Sequence, residues 1–148
     1  MKHYKNNGDW LTLFESLDVS GVAFPHGFEA SLTEANFKRF AQALNELCPD
    51  TNTHISLQQD STSFATLGLP ASLFPGSHFG GSLILSSFGG LLSLQEPGVS
   101  MRPEDKNLLS ECANVHEYLI IDPLVEEAIY TGVHSGFETW GDRFFSYL

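Results

Sequence analysis

Basic side chains are scarce in this chain of 148 residues, which has seven lysines and arginines against eighteen aspartates and glutamates. The formal net charge is −11. Binding to nucleic-acid phosphates relies on lysine and arginine, so this balance argues against nucleic acid as a direct partner. It argues equally against an anionic membrane surface. A basic protein partner stays open, and so does the plainer reading that the charge serves solubility.

Cysteines and long apolar runs are also few. Cys48 and Cys112 are the two cysteines; they form no CxxC pattern and lie in apolar, helix-like contexts. We therefore predict buried free thiols in a reducing compartment. The segment from Met1 to Asn7 has no apolar core, and no apolar run is long enough to span a bilayer. These features predict a cytoplasmic protein without a signal peptide.

The sequence contains none of the short motifs that mark common enzyme or metal sites. Its six histidines form no HxH or HExxH pattern, so we expect no metal site. A GxSxG elbow, a P-loop and a dinucleotide fingerprint are also missing. Glu126 and Glu127 would point to opposite faces of a strand, which is a poor geometry for an acid–base pair. We predict a non-enzyme without a cofactor; an active site assembled from distant residues is the alternative.

The composition otherwise predicts a single folded domain over residues 1–148. Hydrophobic residues make up 42% of the chain and charged residues 17%, which is typical of a globular protein and not of a disordered one. A chain of this length can bury a core without disulfides or metals. Twelve phenylalanines indicate that this core is aromatic.

Three helices are predicted before the C-terminal segment. Asp9 can cap a short helix from Trp10 to Leu17. A capping box from Ser31 to Glu34 opens a helix over 32–48. Pro103 at the first helical position begins the third. Their predicted inner faces follow helical spacing; they are Trp10, Leu13, Phe14 and Leu17, then Phe37, Phe40, Ala41, Leu44, Leu47 and Cys48, then Leu108, Leu109 and Cys112.

Strands are predicted in the middle of the chain. Residues 54–58 and 64–67 have extended patterns, and 82–86 and 91–94 are apolar runs separated by a turn that contains Gly89 and Gly90. The two glycines supply the positive φ that a hairpin turn needs. Both runs are apolar on successive residues, so both faces of this hairpin should be covered. The order of elements predicts an α+β fold, an antiparallel sheet with helices packed mainly on one side.

The C-terminal segment is predicted to form two strands and a helix. The strands are residues 118–121 and 128–131, separated by Asp122 and Pro123. A second capping box, from Ser135 to Glu138, begins the terminal helix. The predicted inner face of that helix is Phe137, Trp140, Phe144 and Leu148.

Acidic residues are concentrated in the last third of the chain. Residues 96–148 contain ten acids and three bases, a net charge of −7. Exposed acids can attract and orient a basic protein surface, while apolar anchors supply affinity. The predicted partner-binding residues are Glu104, Asp105, Asp122, Glu126, Glu127, Glu138 and Asp142.

Four C-terminal stretches together form a further pattern. They are Glu117–Pro123, Glu127–Tyr130, Gly136–Trp140 and Phe144–Leu148. About thirty residues in this arrangement resemble the end of SUKH-superfamily domains, which close with an aromatic–aliphatic strand pair and a helix of the type Ser-Phe-Glu-x-Phe-Leu. The resemblance implies an α+β domain that serves as a bacterial immunity protein by binding a cognate toxin. It implies no catalytic residue, because the usual role of the family is binding.

The resulting prediction is a small acidic cytoplasmic binding protein. Its most concrete form is an immunity protein that occludes the active site of a basic toxin, such as a nuclease. An adaptor or structural subunit of a complex is an alternative, as is an enzyme whose residues converge only in the fold. No feature of the sequence indicates the oligomeric state.

Overall fold

The structure is a computed structural model, and it describes residues 7–18, 25, 27–48, 55–57, 62–134 and 136–145. No helix in these ranges is both long enough and apolar enough to cross a membrane. Along the chain, the elements are α1 (Asn7–Leu17), α2 (Ala30–Leu47), β1 (Ile55–Leu57), β2 (Ser63–Leu69), a 3-10 turn (Ala71–Leu73), β3 (Gly81–Ser86), β4 (Leu91–Gln95), α3 (Pro103–Val115), β5 (Leu119–Ile120), α4 (Pro123–Glu126) and α5 (Trp140–Phe145).

The five strands form one sheet in the order β1-β2-β3-β4-β5. The first four pair antiparallel, and β5 pairs parallel with β4, with Leu119 opposite Leu91. In the turn between β3 and β4, Gly89 and Gly90 have φ of 62° and 70°, which is the region that glycine adopts without strain. Helices pack on both faces of this mostly antiparallel sheet. The predicted α+β fold is confirmed, and the predicted hairpin with it, but the helices are not packed mainly on one side as predicted.

Two hydrophobic cores lie on opposite faces of the sheet. Successive strand residues point to opposite faces; Leu92 belongs to the core beneath α2 and α3, and Leu91 to the core formed with α1, α4 and α5. The two longest helices therefore share one face, and three shorter helices cover the other. The prediction that both faces of the hairpin are covered is confirmed.

The core beneath α2 and α3 includes most of the predicted face of α2. Phe37, Phe40, Ala41 and Leu44 are buried there, as their spacing predicts. Leu47, in the last turn of α2, is exposed. The predicted inner face of α3 is partly wrong in the same way, since Leu109 and Cys112 are buried but Leu108 is exposed.

Neither of the first two helices begins where its capping signal predicts. Helix α1 already begins at Asn7, so Asp9 lies within its first turn. Helix α2 begins at Ala30, and its N-cap Glu29 makes no side-chain cap. The carboxylate of Glu34 instead pairs with Lys38, at 2.9 Å, one turn further along the helix. Because α2 begins at Ala30, Ser31 lies inside the helix and is not the N-cap that the predicted capping box needs.

The C-terminal segment departs most from its predicted form. Asp122 and Pro123 begin the short helix α4 and do not merely break a strand. The predicted strand 128–131 is reduced to a single bridge between Ile129 and Thr139. The terminal helix α5 begins at Trp140, one turn later than predicted, so Phe137 precedes the helix. Ser135 and Leu148, two further parts of that prediction, lie outside the described residues.

A different capping box begins α5. The backbone N–H of Asp142 donates to Thr139 Oγ1 at 3.1 Å, and the N–H of Thr139 donates to Asp142 Oδ2 at 3.2 Å. The two residues thus satisfy each other's free donors at the start of the helix. The backbone carbonyl of Glu138 accepts from Tyr130 N at 3.0 Å. This hydrogen bond and the bridge between Ile129 and Thr139 involve the residues that immediately precede α5.

Candidate functional site

A buried ion pair lies at the centre of the core formed by α1, α4 and α5. Arg143 on α5 is 0% exposed and Asp18, which follows α1, is 2% exposed. Arg143 Nε donates to Asp18 Oδ1 at 2.5 Å. The guanidinium also stacks over the ring of Phe88 at 4.5 Å. A cation placed against an aromatic face gains further electrostatic stabilisation when it is desolvated.

The second oxygen of Asp18 holds the segment that leads to α5. Asp18 Oδ2 accepts from Tyr130 Oη at 2.6 Å and from the backbone N–H of Val133 at 2.9 Å. The N–H of His134 donates to Tyr130 Oη at 3.0 Å. A Cβ at Gly132 would lie 1.8 Å from Asp18 Oδ2, so this loop position requires glycine. The carboxylate therefore connects three distant parts of the chain.

These contacts set the ionisation of Asp18. Burial alone would raise its pKa, but hydrogen bonds from Tyr130, Arg143 and the Val133 backbone, together with the charge of Arg143, hold the pKa below its ordinary value. The pair is enclosed, joins α5 to the end of α1 and presents no atom to a substrate. We assign the pair a structural role.

Glu126 is the second acid that is turned inward. It lies at the end of α4, half-buried against β4, and Ser93 Oγ donates to Glu126 Oε1 at 2.7 Å. Burial raises the pKa of Glu126 to about 7; the Ser93 hydrogen bond opposes that shift, and the charges of Glu127 and Asp122 add to it. Sequence reasoning placed Glu126 on a solvent-exposed surface, and the structure corrects this.

The other predicted acids differ in how free their charges are. Asp142 is engaged in the capping box of α5. Asp105 accepts from Arg102 Nε at 3.0 Å. Asp122 caps α4 by accepting from the N–H of Leu124 at 2.9 Å. Glu104, Glu127 and Glu138 are exposed. The structure divides the predicted set between α3, on one side of the sheet, and the region of α4 and α5, on the other.

Three of these acids are exposed close to exposed aliphatic side chains, either along the chain or across the bridge between Ile129 and Thr139. Leu124 and Ile129 each expose about three quarters of their area. Leu124 follows Asp122 on α4 and precedes Glu127 by three residues. Ile129 pairs with Thr139, the neighbour of Glu138. We call this set the C-terminal surface; its members are Asp122, Leu124, Glu127, Ile129 and Glu138.

A groove runs between α2 and α3 on the other side of the sheet. Two adjoining hollows, of about 90 and 370 Å³, share Leu47 and Leu108 as lining residues. Sequence reasoning missed this groove because it assigned both leucines to the core. We call it the α2–α3 groove; its lining is Ala43, Leu44, Glu46, Leu47, Cys48, Leu73, Met101, Asp105, Leu108, Leu109, Glu111, Cys112, Val115 and His116.

Both cysteines line the α2–α3 groove. Cys112 is buried and Cys48 is partly exposed, and both are free thiols, as predicted. Burial raises the pKa of the Cys112 thiol, which leaves it protonated at neutral pH and a poor nucleophile. Within the described ranges, no three histidine, cysteine, aspartate or glutamate side chains come together in a way that could hold a metal ion.

Comparison with known proteins found no matching family model, no similar curated protein and no similar solved structure. The resemblance of the C-terminal segment to SUKH domains is therefore neither supported nor refuted by these searches. It stays a prediction from the sequence.

Proposed function

We propose that this chain is a small binding protein for a basic protein partner. In its most concrete form it is a bacterial, cytoplasmic immunity protein that occludes the active site of a nuclease-type toxin. The observation that carries the proposal is the C-terminal surface, whose exposed carboxylates and exposed aliphatic side chains alternate along the chain between Asp122 and Glu138. The overall charge of −11 supports it by favouring encounter with a basic protein.

The C-terminal surface combines the two features that protein recognition uses. The exposed Glu127 and Glu138 carboxylates would accelerate and orient association with a positive surface. Leu124 and Ile129 would become buried on binding and supply affinity. Glu126 and Asp142 each make an internal contact, with Ser93 and with the Thr139 backbone, so the proposal rests on the exposed acids of the C-terminal surface.

Partner capture followed by an inhibition assay tests this function. The tagged chain is recovered from its native host, and the bound proteins are identified by mass spectrometry. We expect a basic protein with a toxic enzymatic domain, whose activity the purified chain abolishes at a 1:1 ratio. A Leu124→Gln/Ile129→Gln variant should inhibit at least about tenfold more weakly, because it loses two apolar anchors.

The matched control is Leu32→Gln, which changes a similarly exposed leucine on α2. If the chain retains no basic partner, or if it binds one without inhibiting it, the proposed function is wrong. If Leu32→Gln weakens inhibition as much as the double variant does, the C-terminal surface is not the binding site.

A further inference from the structure

The exposed aliphatic residues between α2 and α3 lie on a surface separate from the C-terminal surface. Leu47, Leu108 and Val115 expose 58%, 50% and 79% of their area. The floor below them is apolar and firmly packed, since Leu44, Leu109 and Met101 are buried in the core. Apolar residues exposed in a row above a rigid apolar floor mark an interaction site more often than scattered ones do.

The shape of this surface suits a helix. The lining residues of α3 extend from Asp105 to Val115, which is about 15 Å along the helix axis at the α-helical rise. That length accommodates about three turns of a second helix. Leu108 and Val115 are spaced i and i+7 on one side, and Leu47 faces them from α2. A helix with apolar residues at i, i+4 and i+7 fits such a groove.

The charged residues around the groove favour a partner of positive charge. Glu46, Asp105 and Glu111 lie in its lining, and no lysine or arginine of the described chain lines it. Asp105 is already paired with Arg102, at 3.0 Å. Within the described ranges, Glu46 and Glu111 form no ion pair and are exposed, one on each helix. The rim therefore complements a positively charged ligand on both sides of the apolar floor.

From this arrangement we propose that the α2–α3 groove binds a basic amphipathic helix of a partner protein. The apolar face of that helix packs on Leu47, Leu108 and Val115, and its lysines or arginines face Glu46 and Glu111. A second copy of this chain is disfavoured as the occupant, because each copy carries a net charge of −11. The inference goes beyond the proposed function and rests on neither the C-terminal surface nor a toxin partner.

Fluorescence anisotropy with a labelled synthetic peptide tests the proposal on the full chain. The peptide has leucines at i, i+4, i+7 and i+11 and lysines elsewhere, and its matched control carries glutamates in place of the lysines. We expect the chain to bind the basic peptide and not the acidic control peptide. A Leu47→Gln/Leu108→Gln variant should bind it at least about tenfold more weakly, because two anchors are lost. Both changes are at exposed helical positions, so the fold is retained and circular dichroism verifies this.

Two further variants separate the groove from other acidic surfaces. Glu111→Gln should weaken binding by about two- to fivefold at low salt and by less at high salt. Glu104→Gln, on the same helix but outside the groove, should leave it unchanged. Equal binding of the two peptides would overturn the proposal. The proposal would also be overturned if Leu124→Gln or Leu32→Gln weakened peptide binding as much as Leu47→Gln/Leu108→Gln does. Self-association of the chain that is abolished by Leu47→Gln/Leu108→Gln would overturn it too.

Discussion

The two faces of the sheet differ in how far acidic residues enter their cores. On the face covered by α1, α4 and α5, Asp18 and Glu126 turn inward to Arg143 and Ser93. On the face covered by α2 and α3, the core is apolar, and Glu46 and Glu111 stay exposed beside the α2–α3 groove. The count of acids in a sequence therefore overstates the charge that is available to a partner.

The largest expected effect on stability comes from breaking the buried ion pair of Arg143 and Asp18. Arg143→Met should destabilise the protein by about 3–5 kcal/mol, because it leaves the Asp18 carboxylate buried without its counter-ion. Urea unfolding, followed by circular dichroism, measures the change. The matched control on the other face is Arg102→Met, which removes an exposed pair with Asp105 and should cost less than about 1 kcal/mol. Equal costs for the two variants would show that the buried pair is not a structural centre.

A smaller effect is expected at Glu126, and it depends on pH. Its folded-state pKa of about 7 lies above the ordinary 4.5, so the folded protein binds this proton more tightly than the unfolded chain does. Protonation of Glu126 therefore contributes its full share to the free energy of unfolding below about pH 4.5. That contribution is lost as the pH rises through about 7. Glu126→Gln should remove this dependence and stabilise the protein at pH 8 by about 1–2 kcal/mol.

Unfolding free energies measured between pH 5 and 8 check this prediction. Glu111→Gln, at an exposed acid on the other face, is the control for the loss of one carboxylate. If Glu126→Gln has no effect on the slope of the profile, the Glu126 carboxylate does not titrate in the way its burial requires.

The smallest expected effect on stability is at the helix starts. It compares the capping box that forms at Thr139 with the predicted one at Ser31, which does not form. Thr139→Ala should cost about 1 kcal/mol, because the N–H of Asp142 loses its acceptor at the start of α5. Ser31→Ala should be close to neutral, because α2 begins without a side-chain cap. Thermal unfolding of the two variants makes the comparison. A larger loss for Ser31→Ala than for Thr139→Ala would reverse our assignment of the helix starts.

The parts of the fold that follow from local pattern were predictable. The period of Phe37, Phe40 and Leu44 was enough to predict α2, and Gly89 with Gly90 was enough for the hairpin. These signals depend only on neighbours within a few residues.

The parts that depend on distant contacts were not predictable. Asp18 and Arg143 are 125 residues apart, and nothing local marks either as one half of a pair. Glu126 meets Ser93 across 33 residues, so its burial was invisible in the sequence. The pattern of Thr139 and Asp142 has the same spacing as Ser31 with Glu34. It could have been noticed, but nothing in the sequence ranks it above the candidate start at Ser135.

In the proposed function, exposed acids of the C-terminal surface guide a basic protein to this chain. Stopped-flow association with that partner at low and at physiological salt tests it directly, using Glu127→Lys/Glu138→Lys against the wild type and Glu104→Lys. We predict association at least about tenfold slower for the double variant at low salt, a smaller difference at higher salt, and little change for Glu104→Lys. Association rates that are unchanged by the double reversal would contradict the claim.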